Sequence, residues 1–280
     1  MSTRTEPGSV PLGRSQLDVM KREKHSANLR VRRKYITYLV SFVTIFGLWQ
    51  ILATYVIPSV LFPPPWPVVL RMGLMIASGD LWAHVSISMQ RIMLGFSLGS
   101  IAGIAIGLLM GSFVVVRHFF EPYVNFFRFI PGIALITVAV IWLGIGEESK
   151  VFLIIYTTIF IVIINTMAGA LAVSINKVRA ARCLGASETQ VFCFVIVPST
   201  VPYIVTGMRI AMANSFATIV SAEMLGASAG LGTVIWTSRL FMLVEDVFVA
   251  LVVLGALGFV GDRIFVLVSN RFGARYGSVA

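Results

Sequence analysis

Residues 151–172 and 201–222 are two apolar runs, each matching the roughly 20 residues that a helix needs to cross the hydrocarbon of a bilayer. Between them lies an insert, 177–198, with too much charge at its start to share that environment. Such a chain places the runs in lipid and the insert in water, so the insert becomes a knob on one aqueous face. Its sequence, KVRAARCLGASETQVFCFVIVP, reads as two short helices broken at Gly185. The first, over about 177–184, sets Val178, Ala181 and Leu184 on one face and Lys177, Arg179 and Arg182 on the other. Gly185 suits the left-handed position that ends a helix. Ser187 and Gln190 then form a Ser-x-x-Gln capping box, with Ala186 and Val191 in the staple positions. Pro198 is expected to close the segment.

With 58% hydrophobic and only 12% charged residues, against about a quarter charged in soluble domains, the chain reads as an all-α integral membrane protein. The net charge of +10 does not point to nucleic acid. The basic residues gather in the N-terminal tail and in loops, as cytoplasmic charges do, and form no groove-reading stripe between aromatics. Cys183 and Cys193 both fall in the insert and read as free thiols in a reducing cytoplasm. His25, His84 and His118 lie far apart without ligand spacing, so no metal is expected. The chain has no G-x-x-x-x-G-K-[ST] phosphate loop, no G-x-S-x-G elbow and no H-E-x-x-H pair. It is therefore expected to be non-catalytic. Proton relay is limited to one intramembrane carboxylate, Glu223, and no repeat relates the two halves, which disfavours a secondary carrier.

In order, residues 1–35 form a basic cytoplasmic tail, followed by six expected spans: about 36–57, 88–112, 122–143, 151–172, 201–222 and 245–268. The first apolar run is too long, and lacks the cleavage site, for a signal peptide. A proline-rich stretch, 61–67, precedes a short interfacial helix over 67–80 with Trp66, Val68, Val69, Leu70 and Met72 near the headgroups. In span two, Gly95, Gly99, Gly103, Gly107 and Gly111 recur every four residues, so another helix can approach backbone to backbone, within the subunit or across a seam to a second copy. Residues 113–121 are expected to be an inner loop, and Pro131 to kink span three or break it locally. Arg128 is either a snorkelling cytoplasmic-side cation or a pathway charge.

Asn165 is the one strongly polar residue inside span four. On span five, Gly207, Ala211, Asn214, Thr218 and Ser221 share one narrow side without bulk, which faces protein or a water-filled path. Glu223 lies at the outer interface or is paired, with Arg239 a candidate partner. Residues 226–239 are turn-rich with a short helix, and 271–280 form a short inner tail. Six spans with an inner N-terminus put most basic residues inside and leave Arg71, Lys150 and Arg239 outside.

The spacing Ala180-Ala181-x-x-x-Gly185-x9-Val195-x-Val197-Pro198 resembles the EAA loop of permease subunits in bacterial ABC importers, with Arg179 where that family usually has Glu. Arg179-Ala180-Ala181, Gly185-Ala186-Ser187, Gly144-Ile145-Gly146 with Ser149-Lys150, and the stretch from Ala222 to Ala227 are similar to the nitrate/sulfonate/taurine branch. The resemblance covers roughly 36–270 and implies a type I importer permease with both termini cytoplasmic, in the bacterial inner membrane. It implies a second copy of the permease, two ATPase subunits carrying ATP and Mg, and a periplasmic or lipid-anchored solute-binding protein. Arg179, Ala180, Ala181, Arg182, Leu184, Gly185, Ala186 and Ser187 would meet the ATPase. Asn165, Asn214, Thr218 and Ser221, with Glu223 and Arg128, are the expected path. The implied substrate is a small oxyanion, sulfonate, taurine or nitrate; bicarbonate or a small heterocyclic vitamin precursor is the alternative, and an ATP-independent channel or carrier the alternative class.

Overall fold

A computed structural model describes Arg33, residues 36–224 and residues 226–273. The rest of the expected basic tail and of the C-terminal tail lies outside the described residues. The elements, in order, are α1 (Ile36–Val56), α2 (Pro65–Ala77), α3 (Asp80–Ser112), α4 (Val114–Phe127), a 3-10 turn (Gly132–Leu135), α5 (Ile136–Leu143), α6 (Glu147–Leu171), α7 (Ile175–Cys183), α8 (Glu188–Val191), a π turn (Phe192–Ile196), α9 (Val197–Met224), α10 (Leu231–Leu240) and α11 (Val244–Gly273). Extended pairing among the described residues is confined to one bridge between Ser59 and Phe62. Among the described residues, five helical runs are long and apolar enough to cross a membrane, six when the bent pair is counted as one span.

Contacts divide the chain after Trp66 into two compact units. In the first, α1 exposes most of its apolar side chains, Phe42 at 61% and Leu39 at 65% among them, and buries Ala53. Such a surface is stable against lipid tails, not water.

The second unit is built on the pairing of α3 with α6. A β-carbon on Gly95, Gly99, Gly103 or Gly107 would lie 2.5 to 2.8 Å from the Cβ of Ile154, Thr158, Val162 or Thr166, and one on Gly111 would strike Ala170. Both helices repeat every four residues along this seam, so the glycine stripe packs within the chain. The close approach adds dispersion contact where lipid supplies no hydrophobic drive. α9 also packs on α6, through Gly207 on Asn165 and through a bond between Thr158 and Ser215 hydroxyls, 3.1 Å. Ile154, Val162, Ala211, Ile219, Leu231 and Val249 are fully buried in the resulting core.

Several expectations are corrected. Residues 113–121 are not a loop: α4 begins at Val114, and Arg117, His118 and Glu121 are polar positions on an amphipathic helix with Pro122 inside it. Span three is broken at Pro131, one of the two outcomes expected there, and it begins at Val114 and not near 122: α4 and the run Gly132–Leu143 meet at 85°. Pro131 has no N–H to continue a helix, and residues before it turn instead. Span two starts at Asp80, not near 88, because its polar first turns find partners in the fold. The helix after the proline-rich stretch is not merely interfacial: Val68, 3% exposed, and Met75, 8%, enter the core, and Arg71 makes a bidentate ion pair with Asp246 at the start of α11. That carboxylate holds the Arg71 guanidinium, which lies outside the spans, further toward its charged form. Pro198 does not end its segment either. The helical run Glu188–Met224 passes through it, and the π turn falls where Pro198 removes the N–H that Phe194 would otherwise bond.

Candidate functional site

The break between α4 and α5 opens a cavity of about 580 Å³. Its walls are the elbow of the broken span, one face of α6 and one face of α9. The elbow supplies Arg128, Phe129, Pro131 and Gly132; α6 supplies Tyr156, Thr157 and Phe160; α9 supplies Asn214, Thr218 and Ser221. A β-carbon on Gly132 would lie 2.5 Å from the Thr157 methyl, so the elbow presses directly on α6. Thr157 and Thr218 hydroxyls are 3.2 Å apart, and Thr218 also donates to the Asn214 carbonyl at 2.9 Å. The polar wall is therefore both an interhelix contact and a lining. Arg128 is exposed, with its guanidinium 4.7 Å from the centre of the Phe129 ring. No carboxylate lies within ion-pair distance of it among the described residues. The cavity thus offers one uncompensated cation, a few hydroxyl and amide groups, and an apolar remainder.

Of the six residues expected on a path, Arg128, Asn214, Thr218 and Ser221 come together here. Asn165 stands apart, against Gly207, with its Nδ2 donating to the Ile161 carbonyl at 2.8 Å. Glu223 is elsewhere too, 1% exposed in a polar cluster that joins α3, α6, α9 and α10. Its partner is not Arg239, whose guanidinium instead lies 5.6 Å from the Trp236 ring centre. It is Arg91: Nη1 donates to Glu223 Oε1 at 2.8 Å and to the Ala229 carbonyl at 2.7 Å, while Nη2 donates to Glu147 Oε1 at 2.6 Å. The Ser88 hydroxyl donates to Glu223, 2.8 Å from Oε1. Three successive backbone N–H groups at the start of α10 find side-chain acceptors: Gly230 on His84 Nδ1 at 3.0 Å, Leu231 on Ser88 Oγ at 2.9 Å, and Gly232 on Glu223 Oε2 at 2.8 Å. These are the orphan donors of a helix start. Lys150, 4% exposed, gives its ammonium protons to the Ile145 and Gly146 carbonyls.

The insert has the local form its sequence suggests. α7 ends at Cys183, Gly185 takes φ +83°, and the Ser187–Gln190 capping box is present in both directions. Arg182 reaches across the turn to Glu188 at 2.9 Å. Lys177, Arg179 and Ala180 are exposed, Ala181 and Ala186 are half-buried, and Leu184 is 89% exposed at the tip. Cys183 and Cys193 are exposed free thiols. Among the described residues no three His, Cys, Asp or Glu side chains are placed to hold a metal ion.

Helices that cross a membrane, a cavity in the elbow of a broken span and a capped charged insert between spans together define a multi-pass permease. Known proteins make the class specific. Residues 95–274 match the family described as binding-protein-dependent transport system inner membrane component, and the chain belongs to it. It is 36% identical over 233 residues to a probable ABC transporter permease protein of Brucella melitensis, covering 83% of this chain and 94% of that one. It is 35% identical to the taurine transport system permease protein TauC of Escherichia coli, covering 87% and 92%, and 31% identical to the nitrate import permease protein NrtB of Synechocystis, covering 87% and 91%. In structure, it resembles a chain of the MetNI methionine ABC transporter in inward-facing form, with TM-score 0.61 and 18% identity over 71% of this chain and 96% of that one. The fold is that of a type I importer permease, and the chain is a multi-pass inner-membrane subunit of an ABC importer.

Proposed function

We propose that this subunit forms the path for a small oxyanion, a sulfonate such as taurine or else nitrate, and is driven by a separate ATPase gripping the insert around Gly185. The observation that carries the pathway is the exposed, uncompensated Arg128 on a cavity whose other polar groups are Asn214, Thr218 and Ser221. An unpaired cation on a largely apolar cavity attracts an anion, and uncharged hydroxyls and amides can pass it on without trapping it. Relatives whose names specify taurine and nitrate support the substrate class. The capped helix–Gly–helix tip, with Leu184 and the α7 cations outward, supports the docking role. A second copy of the permease, two ATPase subunits and an external binding protein complete the assembly. The insert lies on the cytoplasmic side, as do both termini. ATPase closure rocks the bundle open to the outside, and hydrolysis resets it inward.

Reconstitution in proteoliposomes tests this. Uptake of the anion should require the ATPase, ATP and the binding protein together, and solute movement without them would overturn the ATP-driven account. Gly185→Val, strained by about 1–2 kcal/mol at a left-handed φ, should abolish uptake while the subunit still reaches the membrane. Single cysteines at Asn214, Thr218 and Ser221 should react with aqueous thiol reagents in at least one state of the cycle. Protection in every state would remove them from the path.

A further inference from the structure

The elbow that carries Arg128 is held from outside itself. The turn after α4 makes Ile130 N–H to Phe127 carbonyl at 3.0 Å, and then Pro131 interrupts the backbone ladder. Tyr156 on α6 reaches into this gap. Its hydroxyl donates to the Phe127 carbonyl at 2.6 Å and lies 3.4 Å from the Ile130 carbonyl, the two sides of Arg128 in sequence. The Tyr156 ring is itself fixed between Phe152, 6.5 Å away between centres, and Phe160, 5.1 Å away. One residue along α6, Thr157 meets Gly132 beyond the proline. Adjacent α6 side chains thus brace the elbow on both sides of Pro131, one by a hydrogen bond and one by steric contact.

Arg128 has neither burial nor a carboxylate to set its position, so the backbone that carries it does so. Resting on the pathway reading above, we infer that Tyr156 is a positioning residue: its hydroxyl holds the elbow so that Arg128 faces the transported anion, and it influences transport only through Arg128. Tyr156→Phe removes the hydroxyl and keeps the ring packing.

Two measurements test this. In proteoliposomes with the ATPase and binding protein, Arg128→Gln should cut maximal uptake about tenfold and Tyr156→Phe about threefold, while the double variant should be no slower than Arg128→Gln alone, because coupled groups are not additive. Losses that multiply would mean Tyr156 acts independently, and would overturn the inference. Normal uptake by Tyr156→Phe beside impaired Arg128→Gln would overturn it while sparing the pathway reading; normal uptake by Arg128→Gln would overturn both. Separately, with Cys183 and Cys193 replaced by Ser, Arg128→Cys should be labelled by an impermeant thiol reagent at a rate that Tyr156→Phe changes about threefold or more, as expected when a hydrogen bond holding a segment is lost. An unchanged rate would show that the hydroxyl does not set the elbow.

Discussion

Arg91 and Arg128 lie in the same unit and are built in opposite ways. Arg91 is 3% exposed, and each of its hydrogen-bonding nitrogens meets a carboxylate or a carbonyl. With Lys150 beside it, two cations face two carboxylates, Glu147 and Glu223, so the cluster is neutral as well as saturated. Arg128 is exposed at a cavity with an aromatic ring for company. Buried charges with complete partners fix geometry; an open, uncompensated one is available to a solute. On the proposed pathway, completeness of pairing and not charge itself is what distinguishes scaffold from path.

Substitutions can break that contrast. The largest effect is expected from Glu223→Ala, which strips Arg91 of its buried partner and leaves the Gly232 N–H without an acceptor. It should cost about 3–5 kcal/mol, read as a fall in the unfolding midpoint in detergent. Gly103→Val, forcing a branched side chain against Val162, should cost about 1–3 kcal/mol by the same assay. Glu147→Ala should be milder, below about 1 kcal/mol, because Glu147 is 61% exposed and Arg91 keeps Glu223. Arg128→Gln should change stability by no more than about 0.5 kcal/mol while uptake falls. If Glu223→Ala leaves the midpoint unchanged, or Arg128→Gln lowers it as far, the division between scaffold and path fails.

Local pattern carried much of this into the sequence. The four-residue glycine repeat states a seam because helix geometry is regular, and the capping box and Gly185 state a helix break because both are chemistry of near neighbours. Arg128, Asn214, Thr218 and Ser221 could be singled out as polar residues in apolar runs, though only the fold brings Arg128 to the α9 trio. What stayed hidden was tertiary. Arg91 and Glu223 are 132 residues apart, and Arg239 was the nearer candidate on sequence grounds. Nothing in a single sequence says that α3 packs on α6 while His84 and Ser88 reach the start of α10. The first half of the broken span was hidden for another reason. Arg117, His118 and Glu121 give residues 113–121 the look of a loop, although α4 is a helix polar on one side. Tyr156 gave no signal, since an aromatic in an apolar run looks like any other.

The glycine seam also limits how this chain can change length. Successive helical residues turn by about 100°, so losing or gaining one residue inside α3 would swing every later glycine away from α6 and drive bulkier neighbours into the gap. A length change between Gly95 and Gly111 would therefore keep the seam only in whole turns or when matched in α6. The ladder acts as a ruler on the gene: a single-codon insertion anywhere in the seventeen positions from 95 to 111, counted inclusively, would put the two helices out of step.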